Sequence, residues 1–165
     1  MKKLLISLFV LGFTFQSSAQ ITELPEIELV AVNYKYLDAA GDEDVAIPVK
    51  QLQRQVAEYD VRKADFYSDE YDFYTVNFFI PQGKILASYD KDGNLLRTAE
   101  KFKNVALPQA VSNAIAKRFP NWNMAEDVYQ VNYHESGNVK KRYKVLLKNG
   151  DKRMRIKIDE KGNFL

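Results

Sequence analysis

The chain has 165 residues, with 24 Lys and Arg, 22 Asp and Glu, one His and no Cys. A formal net charge of +2 argues against a globally cationic nucleic-acid binder. The lack of cysteine excludes a disulfide framework and a lipid-modified cysteine, and with a single histidine it leaves no zinc site built from the usual ligands.

Residues 1–19 are predicted to be a secretory signal peptide. Lys2 and Lys3 form a positive start, Leu4 to Phe15 is nearly unbroken apolar sequence, and Ser17-Ser18-Ala19 supplies the small residues of a cleavage site. The apolar run is shorter than the roughly 20 residues a membrane-spanning helix needs, and no second long apolar segment follows. Cleavage is expected after Ala19. Loss of Lys2 and Lys3 leaves an even charge balance that is unevenly placed. Residues 20–138 hold 12 basic and 19 acidic residues, net −7, and residues 139–165 hold 10 basic and 3 acidic, net +7.

Residues 20–46 are predicted to carry an N-terminal strand, IELVAVNYKYL, and a polar loop, AAGDEDVAIP, whose Asp42, Glu43 and Asp44 read as solvated. Residues 47–103 are predicted to form a first helix-plus-sheet repeat. In IPVKQLQRQVAEYD, Val49, Leu52, Val56 and Tyr59 share one helical face, and Pro48 suits the helix start. A short strand is expected near Val61 to Tyr67, then a turn at Ser68-Asp69-Glu70 and a hairpin from Tyr74. Residues 104–165 are predicted to form a second repeat. Its helix, LPQAVSNAIAKRFP, aligns Val111, Ala114, Ile115 and Phe119, and Pro120 ends it. The strand DVYQVNYH, a Ser136-Gly137-Asn138 turn and a second hairpin follow.

The two hairpins align without a gap at an offset of 69 residues, Tyr74–Leu96 on Tyr143–Leu165. Each is two alternating strands around a tight connection, ending in a D-x-x-G-N turn. The predicted fold is α+β: two tandem units, each one helix packed on about three antiparallel strands, plus the N-terminal strand. Alternation sets Tyr143, Val145, Leu147, Met154, Ile156 and Ile158 on a core face. Arg142, Lys144, Lys148, Arg153, Arg155 and Lys157 fall on the outer face. The matching outer face of the first hairpin carries Phe73, Thr75, Asn77, Phe79, Leu86 and Ser88.

Several segments together carry a resemblance: the signal ending SAQ, the spacing LPxxVxxAIxxxFP from Leu107, the Gly137-Asn138 turn, the strand KRYKVLL and DxKGN from Asp159. Over roughly residues 47–165 the chain resembles the PepSY-like family of exported proteins of Bacteroidota. That family is similar in fold to the β-lactamase inhibitory protein. The resemblance implies binding or inhibition in the cell envelope and transfers no functional residue. It also brings the label nicotinate-nucleotide adenylyltransferase, given to some similar chains. That chemistry uses an HxGH motif with two histidines, and the chain has only His134.

No catalytic site is expected, and no metal or cofactor. Asp90 to Asn94 resembles the start of a calcium loop, but Leu95 and Lys101 stand where an EF-hand needs Gly and Glu. The second copy replaces Asp92 by Lys161, which keeps a turn rather than a metal site. His134 reads as a surface residue at a turn, and Trp122 as a plug at the helix end. The candidate binding residues are Arg142, Lys144, Arg153, Arg155, Lys157, Phe73 and Phe79. The expected protein is an exported, non-enzymatic binding module of the envelope, periplasmic, with release from the cell as the alternative. Its expected partner is another protein or an anionic envelope component, and not nucleic acid. The alternative function is inhibition of an envelope hydrolase.

Overall fold

Alternation of apolar and polar residues places six strands in the computed structural model, which describes residues 33–41 and 44–165. The expected signal segment and most of the expected N-terminal strand lie outside these residues. The strands are β1 (Phe73–Ile80), β2 (Gly83–Asp90), β3 (Leu95–Lys103), β4 (Asn123–His134), β5 (Val139–Asn149) and β6 (Lys152–Ile158). They form one antiparallel sheet in the order β1-β2-β3-β4-β5-β6. Helices α1 (Tyr34–Ala40), α2 (Ile47–Glu58) and α3 (Gln109–Arg118) complete the described architecture.

The helices bury the faces that their spacing predicts. Val49, Leu52 and Val56 of α2 and Val111 and Ile115 of α3 join a single core with the inner face of the sheet. Across that face the register aligns Phe102 with Tyr129 and Tyr129 with Tyr143. Their rings stack at centroid separations of 6.4 and 4.4 Å. The core face of the last hairpin is as expected, with Tyr143, Val145, Leu147 and Ile158 buried and Met154 and Ile156 packed beside them.

Three expectations are corrected. Residues 34–40 are helical, not extended. A strand would set Tyr34 and Tyr36 on one face, yet Tyr34 is 70% exposed while Tyr36 and Ala40, four apart, are fully buried. The expected strand near Val61 to Tyr67 is a 3-10 turn at Val61–Lys63 followed by further turns. Asp60 causes this: its carboxylate accepts the Arg62 backbone N–H at 3.1 Å and pairs with the Arg62 guanidinium at 2.8 Å. That side chain offers the backbone an alternative to a strand ladder. The third strand after α2 is instead β3. Finally, the order of one helix and three strands recurs, α2 with β1 to β3 and α3 with β4 to β6, but the six strands form a single sheet. β3 pairs with β4 from Arg97↔His134 to Lys103↔Val128.

The repeated D-x-x-G-N segments are the same turn twice. The Asp90 carboxylate accepts from the backbone N–H of Asp92 at 2.9 Å and of Asn94 at 2.8 Å, and from Asn94 Nδ2 at 2.9 Å. Asp159 does the same with Lys161 and Asn163. Gly93 and Gly162 hold φ of 85° and 87°, which an L side chain would strain.

Glu100 occupies an inward position of β3 and is 3% exposed. It accepts hydrogen bonds from Tyr36 Oη at 2.7 Å, Gln53 Nε2 at 2.9 Å and Thr98 Oγ1 at 2.9 Å. Burial raises its pKa, against the opposing pull of these donors and of Lys141. An acid with a raised folded-state pKa stabilises the fold below its unfolded value, about 4.3 for Glu, and loses that contribution as pH climbs through the folded value. The urea midpoint of Glu100→Gln, taken relative to the unmodified protein, is therefore expected to rise with pH above about 4.3. Parallel midpoint curves for the two proteins would contradict the assignment.

Candidate functional site: the open sheet face

Among the described residues, the helices cover one face of the sheet and leave the other open. Register alone orders the open face into rows. One row runs Phe79, Lys84, Lys101, Gln130, Arg142 across β1 to β5. A second runs Lys103, Val128, Lys144, Lys157 across β3 to β6. Beyond it, Glu126, Leu146 and Arg155 form a row across β4 to β6, and Lys148 lies opposite Arg153. On the other side of the first row lie Asn77, Leu86, Ala99, Asn132, Lys140 and then Thr75, Ser88, Arg97, His134.

All seven residues singled out by sequence fall on this face. The cations Arg142, Lys144, Arg153, Arg155 and Lys157 cluster on β5 and β6. Phe73 and Phe79 stand on β1 at the opposite edge, 69% and 77% exposed. Four strand spacings, roughly 19 Å, separate β1 from β5, so the two groups are not one cluster. Lys84, Arg97, Lys101 and Lys103 add cations on β2 and β3, with the polar and apolar side chains Gln130, Asn132 and Val128 of β4 between them and the β5–β6 cluster. Sequence reasoning missed Arg97, Lys101 and Lys103 because it did not place β3, and it left Lys84 off the outer face of the hairpin it did place. The signal was present: Arg97, Ala99, Lys101 and Lys103 alternate with Thr98, Glu100 and Phe102, but the inward Glu100 breaks the apolar series.

The cations carry little local compensation. Asp60 pairs with Arg62 and Lys63, away from this face. Arg142 Nε donates to Gln130 Oε1 at 3.1 Å, and Arg97 Nε to Ser88 Oγ at 3.3 Å. Both are neutral acceptors, so the face keeps its charge. Ser88, expected to be outward, is on the open face but only 7% exposed, covered by these neighbours.

A depression of about 730 Å³ lies on the same face, between the first row and His134. Its lining includes Leu86, Arg97, Ala99, Asn132, His134 and Lys140. Ala99, with a single methyl group, leaves the room between longer neighbours. His134 ends β4 in an exposed turn, where its Nδ1 accepts the Ser136 backbone N–H at 3.2 Å. In the neutral ring the proton therefore sits on Nε2. Donors of Arg97, Lys140, Asn132 and Asn138 surround an apolar floor, and no carboxylate lines the depression. Such a lining accepts an anionic group with an apolar stem.

No group of three or more His, Asp or Glu that could hold a metal ion occurs among the described residues. The Asp90 and Asp159 carboxylates are engaged by their own turns. Trp122 is half-buried against the core.

Residues 72–165, from the residue before β1 to the last residue, match the family model described as "Putative beta-lactamase-inhibitor-like, PepSY-like". The chain belongs to this PepSY-like family. The match takes in all six strands and α3. Among solved structures, the chain is similar to a BLIP-like protein from Bacteroides fragilis NCTC 9343, at 17% identity over 78% of this chain and 88% of that one, with a TM-score of 0.36. No curated protein matches the chain. Among the described residues, no helix of this PepSY-like protein is long and apolar enough to cross a membrane.

A short Glu-rich peptide titrated into the protein is expected to shift the backbone amide resonances of Arg97, Asn132, His134 and Lys140 before those of α3. Shifts confined to other surfaces would remove the depression from the site.

Proposed function

We infer that this PepSY-like protein is an exported, non-enzymatic binding module that takes an acidic segment of another protein on its open sheet face. The observation that carries this reading is the excess of cations on the open face, with Lys84, Lys101 and Lys103 on β2 and β3, and Arg142, Lys144, Arg153, Arg155 and Lys157 on β5 and β6, while register places the carboxylate of Glu126 beside Leu146. A face of one sign speeds encounter with an oppositely charged partner and rejects like-charged ones. Export is supported by Lys2 and Lys3, the apolar run to Phe15 and Ser17-Ser18-Ala19. Delivery to the periplasm fits these features. An adenylyltransferase activity has no support, because a two-histidine phosphate motif cannot be drawn from a chain with one histidine.

The binding residues are Arg142, Lys144, Arg153, Arg155 and Lys157, extended by Lys84, Lys101 and Lys103. Arg155 and Arg153 flank the buried Leu146 side of the face, where an apolar contact can accompany the ionic ones. A second reading, inhibition of an envelope hydrolase, is favoured by the β-lactamase-inhibitor-like description of the family. It uses the same face, with an enzyme as the acidic partner.

Mature protein immobilised against its own envelope fraction is expected to retain a partner that dissociates with rising salt. Charge reversal at Arg153, Arg155 and Lys157 should lower that affinity by about tenfold or more, equivalent to 1.4 kcal/mol per factor of ten. Reversal at Lys91 and Lys161, in the turns away from the face, should leave it unchanged. Equal retention by both variants, each with native circular dichroism, would exclude the open face. Recovery of polysaccharide or lipid in place of protein would reassign the partner to an anionic envelope component.

A further inference from the structure

The two edges of the sheet are built differently. β6, sequence KRMRIKI, carries Lys152, Arg153, Arg155 and Lys157, and a second strand approaching it would meet a line of cations. β1, sequence FYTVNFFI, has no charge, no proline and no register shift against β2. Among the described residues nothing pairs with its outer edge.

The hydrogen-bonding phase of that edge follows from the hairpin. The two-residue turn Pro81-Gln82 makes Ile80 and Gly83 a closely bonded pair. Even-numbered residues of β1 therefore bond to β2. Phe73, Thr75, Asn77 and Phe79 direct their N–H and C=O groups outward.

The strand is also a chemical palindrome about Val76. Thr75 mirrors Asn77, Tyr74 mirrors Phe78, and Phe73 mirrors Phe79. Antiparallel neighbours must share a face, which permits Val76 opposite Val76. In that register the outward-bonding residues of one strand meet the outward-bonding residues of the other. The two most exposed aromatics of β1, Phe73 at 69% and Phe79 at 77%, then cover each other on the open face.

We propose that β1 is a self-pairing edge: two copies of this chain join antiparallel through β1 about a two-fold axis at Val76, which merges their sheets. Charge supports a second copy over an unrelated strand. The acidic turn ahead of β1, with Asp69, Glu70 and Asp72, is pinned to the strand by Tyr74, which stacks on Tyr67 at 5.2 Å and donates its hydroxyl proton to the Ser68 carbonyl. In the proposed register this turn lies alongside the Pro81-Gln82 hairpin end of the other copy, next to its Lys84. The open faces of both copies then form one surface with two basic fields.

The mature protein is expected to sediment as a dimer at concentrations on the order of 10 μM. The chain has no cysteine, so a single one reports the register cleanly. Val76→Cys should cross-link to itself under mild oxidation, because Cα atoms of such a pair lie about 4.5 Å apart, within disulfide reach. Thr75→Cys, facing Asn77, should not. The double variant Thr75→Lys with Asn77→Lys, at exposed positions, should be a folded monomer, as should Thr75→Glu with Asn77→Glu. Mixing the two should give a heterodimer. A monomeric unmodified protein, whether residues 20–32 or a foreign strand cap β1, overturns the proposal. Cross-linking of Thr75→Cys without Val76→Cys does so as well.

Discussion

The fold turns on a carboxylate that water cannot reach. Glu100 sits near the middle of the inner sheet face, where an uncompensated charge would cost several kcal/mol. Its donors come from three elements, Tyr36 of α1, Gln53 of α2 and Thr98 of β3. Each can bond to Glu100 only if its element lies where it does. The group therefore acts as a positioning peg for both N-terminal helices. Lys141, on β5, adds its charge from the same face and donates to the Gly41 carbonyl at the end of α1 at 3.3 Å. Asn33 closes the same region: its Oδ1 accepts the Leu95 N–H at 2.7 Å, and its Nδ2 donates to the Ala57 carbonyl at 3.3 Å.

Placing all three helices on one face determines the chemistry of the other. The inner face can hold Tyr89, Phe102, Tyr129 and Tyr143 because the helices seal them. The outer face must live in water, and long cations do so while their methylene stems cover the strands beneath. Acids concentrate in the turns at residues 60–72, and bases spread over the open sheet. The basic surface is wider than the C-terminal tail, because β2 and β3 contribute Lys84, Lys101 and Lys103.

The α+β class, α2, α3, both hairpins and the faces of β5 and β6 were legible, since each rests on a period of 3.6 or 2 over seven or more residues. The misread parts share one physical trait: a polar side chain overrides the local pattern. Asp60 captures the Arg62 N–H and turns a strand-like stretch into a 3-10 turn. Glu100 takes an inward position through long-range bonds that no window of sequence contains, and so β3 was overlooked. The apparent alternation through Tyr34 and Tyr36 concealed a helix in which Tyr36 answers Glu100, 64 residues away. At the site, the residue types were legible, but their assembly into rows depended on the pairing of β3 with β4. The depression around Ala99 depends on that pairing too.

Strand order in space equals strand order in the chain, and this has a kinetic meaning. Each ladder joins sequence neighbours, so each loop to be closed is short, except for the α3 crossover between β3 and β4. Closure entropy grows only slowly with loop length, and folding speed follows how local the contacts are. The two hairpins bounded by D-x-x-G-N turns can form independently at opposite ends of the sheet. The β3–β4 ladder is then the late event, the step that converts two local pieces into one cooperative body. Glu100 lies on that seam opposite Val131, but its donors come from α1, α2 and β3, so the costliest buried group is satisfied by docking the two N-terminal helices on β3.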